Sequence, residues 1–276
     1  MSYKTILVHL SDKRRAERLL EPAIDLSTRF NAHLIGLHVY AALPAPPVSV
    51  PFAKEVAGTI SAADHTNSAA IADIFSRMTK GGAFVPEWRL RKVPHVDLAA
   101  VVTRQAHAAD LVITGQSDPD WDMSPLLDFP LPLAVESGRP VLVIPYAGRF
   151  PRVARNVVIA WKPGREAARA VFDALPLLKA AENVHILEIP SAEGKEADHD
   201  TSIAAALGRH GIKPNLRTSI APDLSVGDEL LSRIADLSAD LLVMGAYGHS
   251  RMRELVFGGA TRDIARHMTV PTLFSH

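Results

Sequence analysis

The feature that most constrains this chain is that it carries one pattern twice. "TILVHLSDKRRAERLLEPA" from Thr5 and "NVVIAWKPGREAARAVFDA" from Asn156 each run from a short β-branched, apolar stretch through a polar turn into helix-period sequence. Further on, "ADLVITG" (Ala109 to Gly115) is answered by "ADLLVMG" (Ala239 to Gly245), and "GRPVLVIPY" by "TVPTLFSH". Three matches in one order mark an internal duplication. Within each copy, apolar runs alternate with helical stretches, the arrangement of parallel strands covered on both faces. The runs predict strands near Thr5–Leu10, His33–Tyr40, Val85–Arg91, Leu111–Gly115 and Val141–Pro145. In the second copy they predict Val157–Trp161, His185–Ile189, Pro214–Ile220, Leu241–Gly245 and Thr272–Ser275. The expected fold is α/β: two doubly wound, Rossmann-like five-stranded parallel-sheet domains, residues 1–148 and 153–276, meeting near "YAGRFPRVAR".

The copies differ in length. Ile6 to Asp110 is 104 positions and Val157 to Asp240 is 83, so the first copy holds 21 more. The surplus is assigned to Ala41–Gly82, which contains the proline-rich "ALPAPPVSVPF" and an Ala-rich helical stretch. Prolines cannot donate ladder hydrogen bonds, so an extended loop is expected there. A plain insertion is the first reading of it, ahead of a lid or a dimer contact.

Whole-chain totals exclude several functions. Thirty basic and thirty acidic side chains cancel over the 276 residues, so there is no overall field for nucleic acid. The absence of cysteine removes disulfides, thiolate metal sites and cysteine nucleophiles, and fits a reducing compartment. "MSYKTILVHLSDKRR" has the wrong order of charge and apolar residues for a signal peptide. No run reaches the roughly 18 apolar residues of a membrane span. A soluble, cytoplasmic protein is expected.

The chemistry concentrates in "GAYGHSRMRELVFGGATRDI", Gly245 to Ile264. Gly245 closes a strand, where doubly wound sheets bind ligands. Gly248 can take positive φ and turn N–H groups towards an anion. Gly258 and Gly259 open a helix, whose free N–H groups favour phosphate. Nine residues separate Gly248 from Gly258, enough to loop over a nucleotide's phosphates. Arg251, Arg253, Arg262 and Arg266 outnumber Glu254 and Asp263, the sign a phosphate requires. The other reading is a turn that packs a helix on the sheet. The first copy keeps Gly115 but has Asp118 in place of Gly248. It adds Asp120, Asp122, Asp128 and Glu136 with no Lys or Arg among them, so no nucleotide is expected there.

The duplication, the Gly-x2-Gly-x9-Gly spacing and the closing "VPTLFSH" resemble the tandem members of the universal stress protein family, over essentially the whole chain. "GREAARAV" and "GAYGHSRMRELVFGGATR" carry the likeness most specifically. The resemblance implies a sheet order of 3-2-1-4-5 in each copy, an adenine nucleotide alpha hydrolase-like fold, pairing of the two domains within the chain, and further association as a homodimer. The family divides into members that bind ATP and members that do not. The binders carry Ser or Thr after the third glycine and an Asp at the end of the first strand. Here Gly245, Gly248 and Gly258 match, Gly259 stands where Ser or Thr is expected, and Thr261 is placed to supply a hydroxyl instead. Lys162 occupies the Asp-like position, with Ser11 its counterpart in the first copy.

The expected site is therefore Gly245, Gly248, Gly258, Gly259 and Thr261, with Arg251 and Arg253 for phosphate and Ala160, Trp161 and Lys162 bordering the base. ATP with Mg²⁺ is the ligand implied for the second domain, and none for the first. Function would lie in ligand sensing and protein interaction under stress, with an unidentified protein partner. The alternatives are a slow ATP hydrolase or nucleotidyl-transfer enzyme, and a dimerisation module that binds no nucleotide. No catalytic residue is assigned: "GHSRM" misses the esterase elbow because Met252 replaces its second glycine. No metal site is assigned either. His33 and His38 face opposite ways on one strand, and in "EADHDTS" Asp and Thr read as helix caps. Trp88, Trp121 and Trp161 read as core or interface anchors.

Overall fold

A computed structural model describes residues 2–41, 66–93, 97–190, 201–219, 224–247 and 259–276. The first half contains β1 (Thr5–His9), α1 (Lys13–Phe30), β2 (His33–Ala41), helix α2 (66–79), β3 (Pro86–Val93) and α3 (Leu98–Ala106). It continues with β4 (Leu111–Gly115), α4 (Ser124–Leu127), α5 (Pro130–Glu136) and β5 (Val141–Ile144). The second half contains β6 (Asn156–Ala160), α6 (Arg165–Asp173), α7 (Leu175–Ala180), β7 (Asn183–Glu188) and α8 (Ser202–Arg209). Then come β8 (Asn215–Thr218), α9 (Val226–Asp236), β9 (Leu241–Gly245), α10 (Gly259–His267) and β10 (Thr272–Ser275). All ten strands expected from the apolar runs are present, displaced by a residue or two at their ends. The proline-rich stretch lies outside the described residues.

Each half is wound in the order 3-2-1-4-5. The halves do not form separate sheets, however. They join into one ten-stranded sheet, β3-β2-β1-β4-β5-β10-β9-β6-β7-β8. Neighbours within a half are parallel, and the seam is antiparallel, with Thr272 opposite Val143 and Phe274 opposite Val141. The seam strands, "VLVI" and "TLFS", are wholly buried. Each would otherwise be a bare apolar sheet edge, and pairing them satisfies both rows of backbone groups.

The repeated "ADL" has a structural purpose. Asp110 accepts hydrogen bonds from the backbone N–H groups of Lys4 (2.7 Å) and Thr5 (2.9 Å), fastening the start of β1 to that of β4. Asp240 does the same for Arg155 and Asn156 at β6, at 2.9 Å each.

Because the strands are covered on both faces, two apolar layers run the length of the sheet. One packs α1, α2, α6, α7 and α8, through Leu20, Phe75, Val171, Leu177 and Leu207. The other packs α3, α5, α9 and α10, through Val102, Leu133, Ile234 and Ile264. Side chains also tie the halves. The Tyr3 hydroxyl donates to Asp173 O (2.7 Å), and its burial raises the phenol pKa well above the ordinary value. Arg29 donates to Val153 O (2.8 Å). The α1 helix is capped at both ends: the Asp12 carboxylate accepts from Arg14 N–H, and Asn31 takes the left-handed conformation. Thr201, expected as a cap, stands at the start of α8 but makes no side-chain capping bond. Its backbone is already helical there, so its hydroxyl does not fold back on the first turn.

His9, at the end of β1, lies in the second layer against Phe129 (ring centroids 5.3 Å apart). Burial, reinforced by the nearby His38 and Arg15, lowers its pKa from 6.5 to about 3. The unfolded chain therefore takes up a proton near pH 6.5 that the folded chain refuses until about pH 3. The stability from neutral His9 is complete above pH 6.5 and is lost as pH falls, by at most about 1.4 kcal/mol per pH unit. Replacing His9→Leu should flatten the loss of stability between pH 6.5 and 5, read from urea unfolding at a series of pH values.

Candidate functional site

In a sheet of this order, the winding reverses between the first and fourth strands of each half, opening a crevice at their carboxyl ends. The first crevice lies beyond β1 and β4, and the second beyond β6 and β9. Because β5 and β10 run antiparallel, the two open at opposite ends of the sheet.

In the second crevice, Gly245 is fixed by packing. A Cβ there would lie 2.6 Å from the carbonyl carbon of Glu166 and 2.7 Å from the N of Ala167, so only glycine lets α6 approach β9 this closely. Ala246 is buried and donates to Ser275 O (2.8 Å). Tyr247 then takes a left-handed φ of 53°, turning its N–H towards the Thr261 hydroxyl at 3.5 Å. Gly248, Arg251, Arg253 and Gly258 lie outside the described residues, as does Ser250. Gly259 opens α10 and is exposed. No described atom stands where its Cβ would be, so packing does not require glycine here. The first turn of α10 offers the free N–H groups of any helix start.

On the β6 side, Ala160 is half-buried and Lys162 is exposed. Trp161 is only 8% exposed, and its indole N–H has no acceptor among the described residues. The structure thus brings Tyr247 and Thr261 together across the crevice, with Trp161 and Lys162 following β6 on its other side. It also brings in a residue that sequence reasoning missed. Glu166, in the first turn of α6, is 8% exposed and ion-paired with Arg165 at 2.9 Å. The only signal for it was its place in "GREAARAV", because contact with Gly245 depends on a helix folding back on a strand far along the chain.

The first crevice is built differently. Arg15, in the first turn of α1, is 6% exposed, and its guanidinium grips the Asp128 carboxylate with both terminal nitrogens, at 3.0 and 2.5 Å. The same nitrogens reach Gln116 O (3.2 Å) and the Ser11 hydroxyl (2.9 Å). Ser124 donates to Asp128 at 2.7 Å, and Trp121 covers the group with its ring centroid 4.4 Å from the Arg15 Cζ. Two expectations are corrected here. Asp128 is not an uncompensated charge, because a cation from a distant helix neutralises it. Trp121 is not a core or interface anchor: it stacks on Arg14 and Arg15. Gln116 also spans the seam, donating to Ala265 O (3.1 Å) and Arg266 O (2.8 Å) and accepting from Tyr146 N–H (3.1 Å).

Comparison with known proteins agrees with this architecture. The universal stress protein family model matches residues 2–128 and 154–276. The fold is similar to that of a universal stress protein from Archaeoglobus fulgidus, with a TM-score of 0.71 and 14% identity over 98% of this chain and 95% of that one. It is also similar to a protein of unknown function from Pseudomonas aeruginosa, with a TM-score of 0.58 and 13% identity over 99% and 92%. At such identities the likeness is one of fold. A 38-residue stretch is 50% identical to a curated universal stress protein of Synechocystis sp., spanning 14% of this chain and 13% of that relative's length. Among the described residues, no helix is long and apolar enough to cross a membrane, and no three His, Asp or Glu gather as a metal site would need.

The packing reading of Gly245 has a direct consequence. Gly245→Ala should destabilise the protein by about 1–3 kcal/mol, since backbone must move to admit the methyl group. Gly259→Ala should stay within about 0.5 kcal/mol of wild type. Urea unfolding of the two variants checks both.

Proposed function

Since the chain belongs to the universal stress protein family, we propose that it is a cytoplasmic stress-response factor of two domains, 1–148 and 153–276, that binds an adenine nucleotide in the second and acts through protein interaction. The observation that carries this is the pairing of Tyr247 with Thr261. A left-handed residue at the strand end presents its N–H to a hydroxyl in the first turn of α10, at the point where doubly wound sheets take ligands. The indole N–H of Trp161, buried and without an acceptor among the described residues, is a second feature that a bound polar group would satisfy.

The residues fit a nucleotide in the following way. Backbone N–H groups at the start of α10, the Thr261 hydroxyl and the glycines Gly248 and Gly258 would hold the phosphates, with Arg251 and Arg253 adding positive charge. Lys162 would meet a phosphate rather than the base, since an ammonium cannot accept a hydrogen bond from the adenine amine. When bound, ATP would supply a charged triphosphate with its Mg²⁺, and Glu166 is the carboxylate that would hold that ion. Ala160 and Trp161 would border the base. No side chain is assigned a proton-transfer role, so the proposed activity is binding and signalling.

Glu166 also favours a second reading. A buried carboxylate beside the strand end opposes a phosphate, and under this reading the chain is an interaction module that binds no nucleotide. Calorimetric titration with MgATP separates the two. Binding at about one site per chain should be abolished by Gly248→Glu and weakened about three- to tenfold by Thr261→Val, the loss of roughly one hydrogen bond. Glu166→Gln should weaken binding in Mg²⁺ if the carboxylate approaches the metal. No heat from wild type, with heat appearing in Glu166→Gln, would establish the second reading.

A further inference from the structure

We propose that the first half holds an oxyanion site of its own, centred on Arg15, and that its resident is the tethered carboxylate of Asp128. A free phosphate or small carboxylate would then bind there once that tether is removed. The inference does not depend on nucleotide binding by the second half.

It starts from register. Gly115, Asp118 and Asp128 follow one another at the same intervals as Gly245, Gly248 and Gly258, so Asp128 stands where the second half has its third glycine. A side chain ending in two oxygens thus stands in the first half where the second half has a residue with no side chain. For the helix that follows the first strand, the register comes from Ile6 and Val157, which hold equivalent places in the pairing of β1 with β4 and of β6 with β9. Counting on from them sets Arg15 opposite Glu166. The first half therefore has a buried cation at this point of the crevice, and the second a buried anion.

The geometry around Arg15 is that of an anion receptor. A guanidinium cannot shed its proton in a protein, so burying it demands an anion. Its planar fork suits carboxylate and phosphate equally. Ser11 and Gln116, which orient the fork, stand within two residues of the ends of β1 and β4, the two strands that define the switch point. Ser124 donates to the same carboxylate oxygen that Arg15 Nη1 holds, and Trp121 shields the group from water. Arg15 Nε, also buried, has no partner among the described residues, so the receptor has a donor that the Asp128 carboxylate leaves unused. The first half is thus closed to nucleotide by an occupant, and not by repulsion from a field of unpaired acids.

The test is Asp128→Gly, which installs the residue of the matching position, with inorganic phosphate and formate as probes at fixed ionic strength. The variant should melt below wild type in chloride. Either anion should then raise its Tm saturably and by more than it raises that of wild type. Calorimetry should count about one more phosphate per chain than in wild type, and adding Arg15→Met should remove that extra site. Because the count is a difference from wild type, failure of the second half's nucleotide reading does not affect it. Where Asp128→Gly does not fold, Asp128→Ala also empties the site without adding backbone freedom, and its Tm or refolding yield should rise with either anion. A response no different from wild type in the variant that folds, or an extra site that survives Arg15→Met, would overturn the proposal.

Discussion

The antiparallel seam between β5 and β10 is the constraint on which the rest of the structure depends. Each half, wound alone, would end in a short strand, buried here along its whole length, with an unsatisfied row of N–H and C=O groups. Pairing the two removes both edges and makes the apolar layers above and below the sheet continuous from one half to the other. It also reverses the strand direction at mid-sheet, which is why the two crevices open at opposite ends. The end of α10 is thereby set beside the strand end of β4, where Gln116 can reach it.

The two crevices show how one duplicated scaffold diverges. Their frames are the same: the ends of the first and fourth strands, the start of the helix that follows the first, and a fastening Asp at the base. Their chemistry is exchanged. In the first, the helix brings Arg15 and the loop brings the carboxylate. In the second, the helix brings Glu166, and the sequence after β9 carries glycines and arginines. The first crevice is thus filled by the chain's own ion pair without any change of fold.

Much of this was legible in the sequence, and the residues explain why. Strands such as "TILVH" and "LLVMG" are buried on both faces, so each is a plain apolar run needing no knowledge of its neighbours. The duplication fixed the number of strands and the position of the crevices. The Asp of "ADL" was visible as a repeat, though not as a clamp, because its partners lie at the far end of the half. Arg15 and Asp128 were each visible but could not be paired: 113 positions separate them, and only the return of β4 beside β1 brings them together. Gly245 was legible as a glycine at a strand end, yet the reason for it, a helix backbone within 2.6 Å of its missing Cβ, is a tertiary contact.

The sequence by itself thus determined the α/β class, the two windings, the ten strands and the places where a ligand could sit. All of these follow from local periodicity and from repetition, which a linear chain displays directly. Tertiary structure alone decided that the two sheets become one, that a distant arginine neutralises Asp128, and that Glu166 stands buried beside the strand end of the second half. Each of these depends on which surfaces meet, and burial gives a charge its meaning: the same carboxylate is incidental in water and decisive once its hydration is gone.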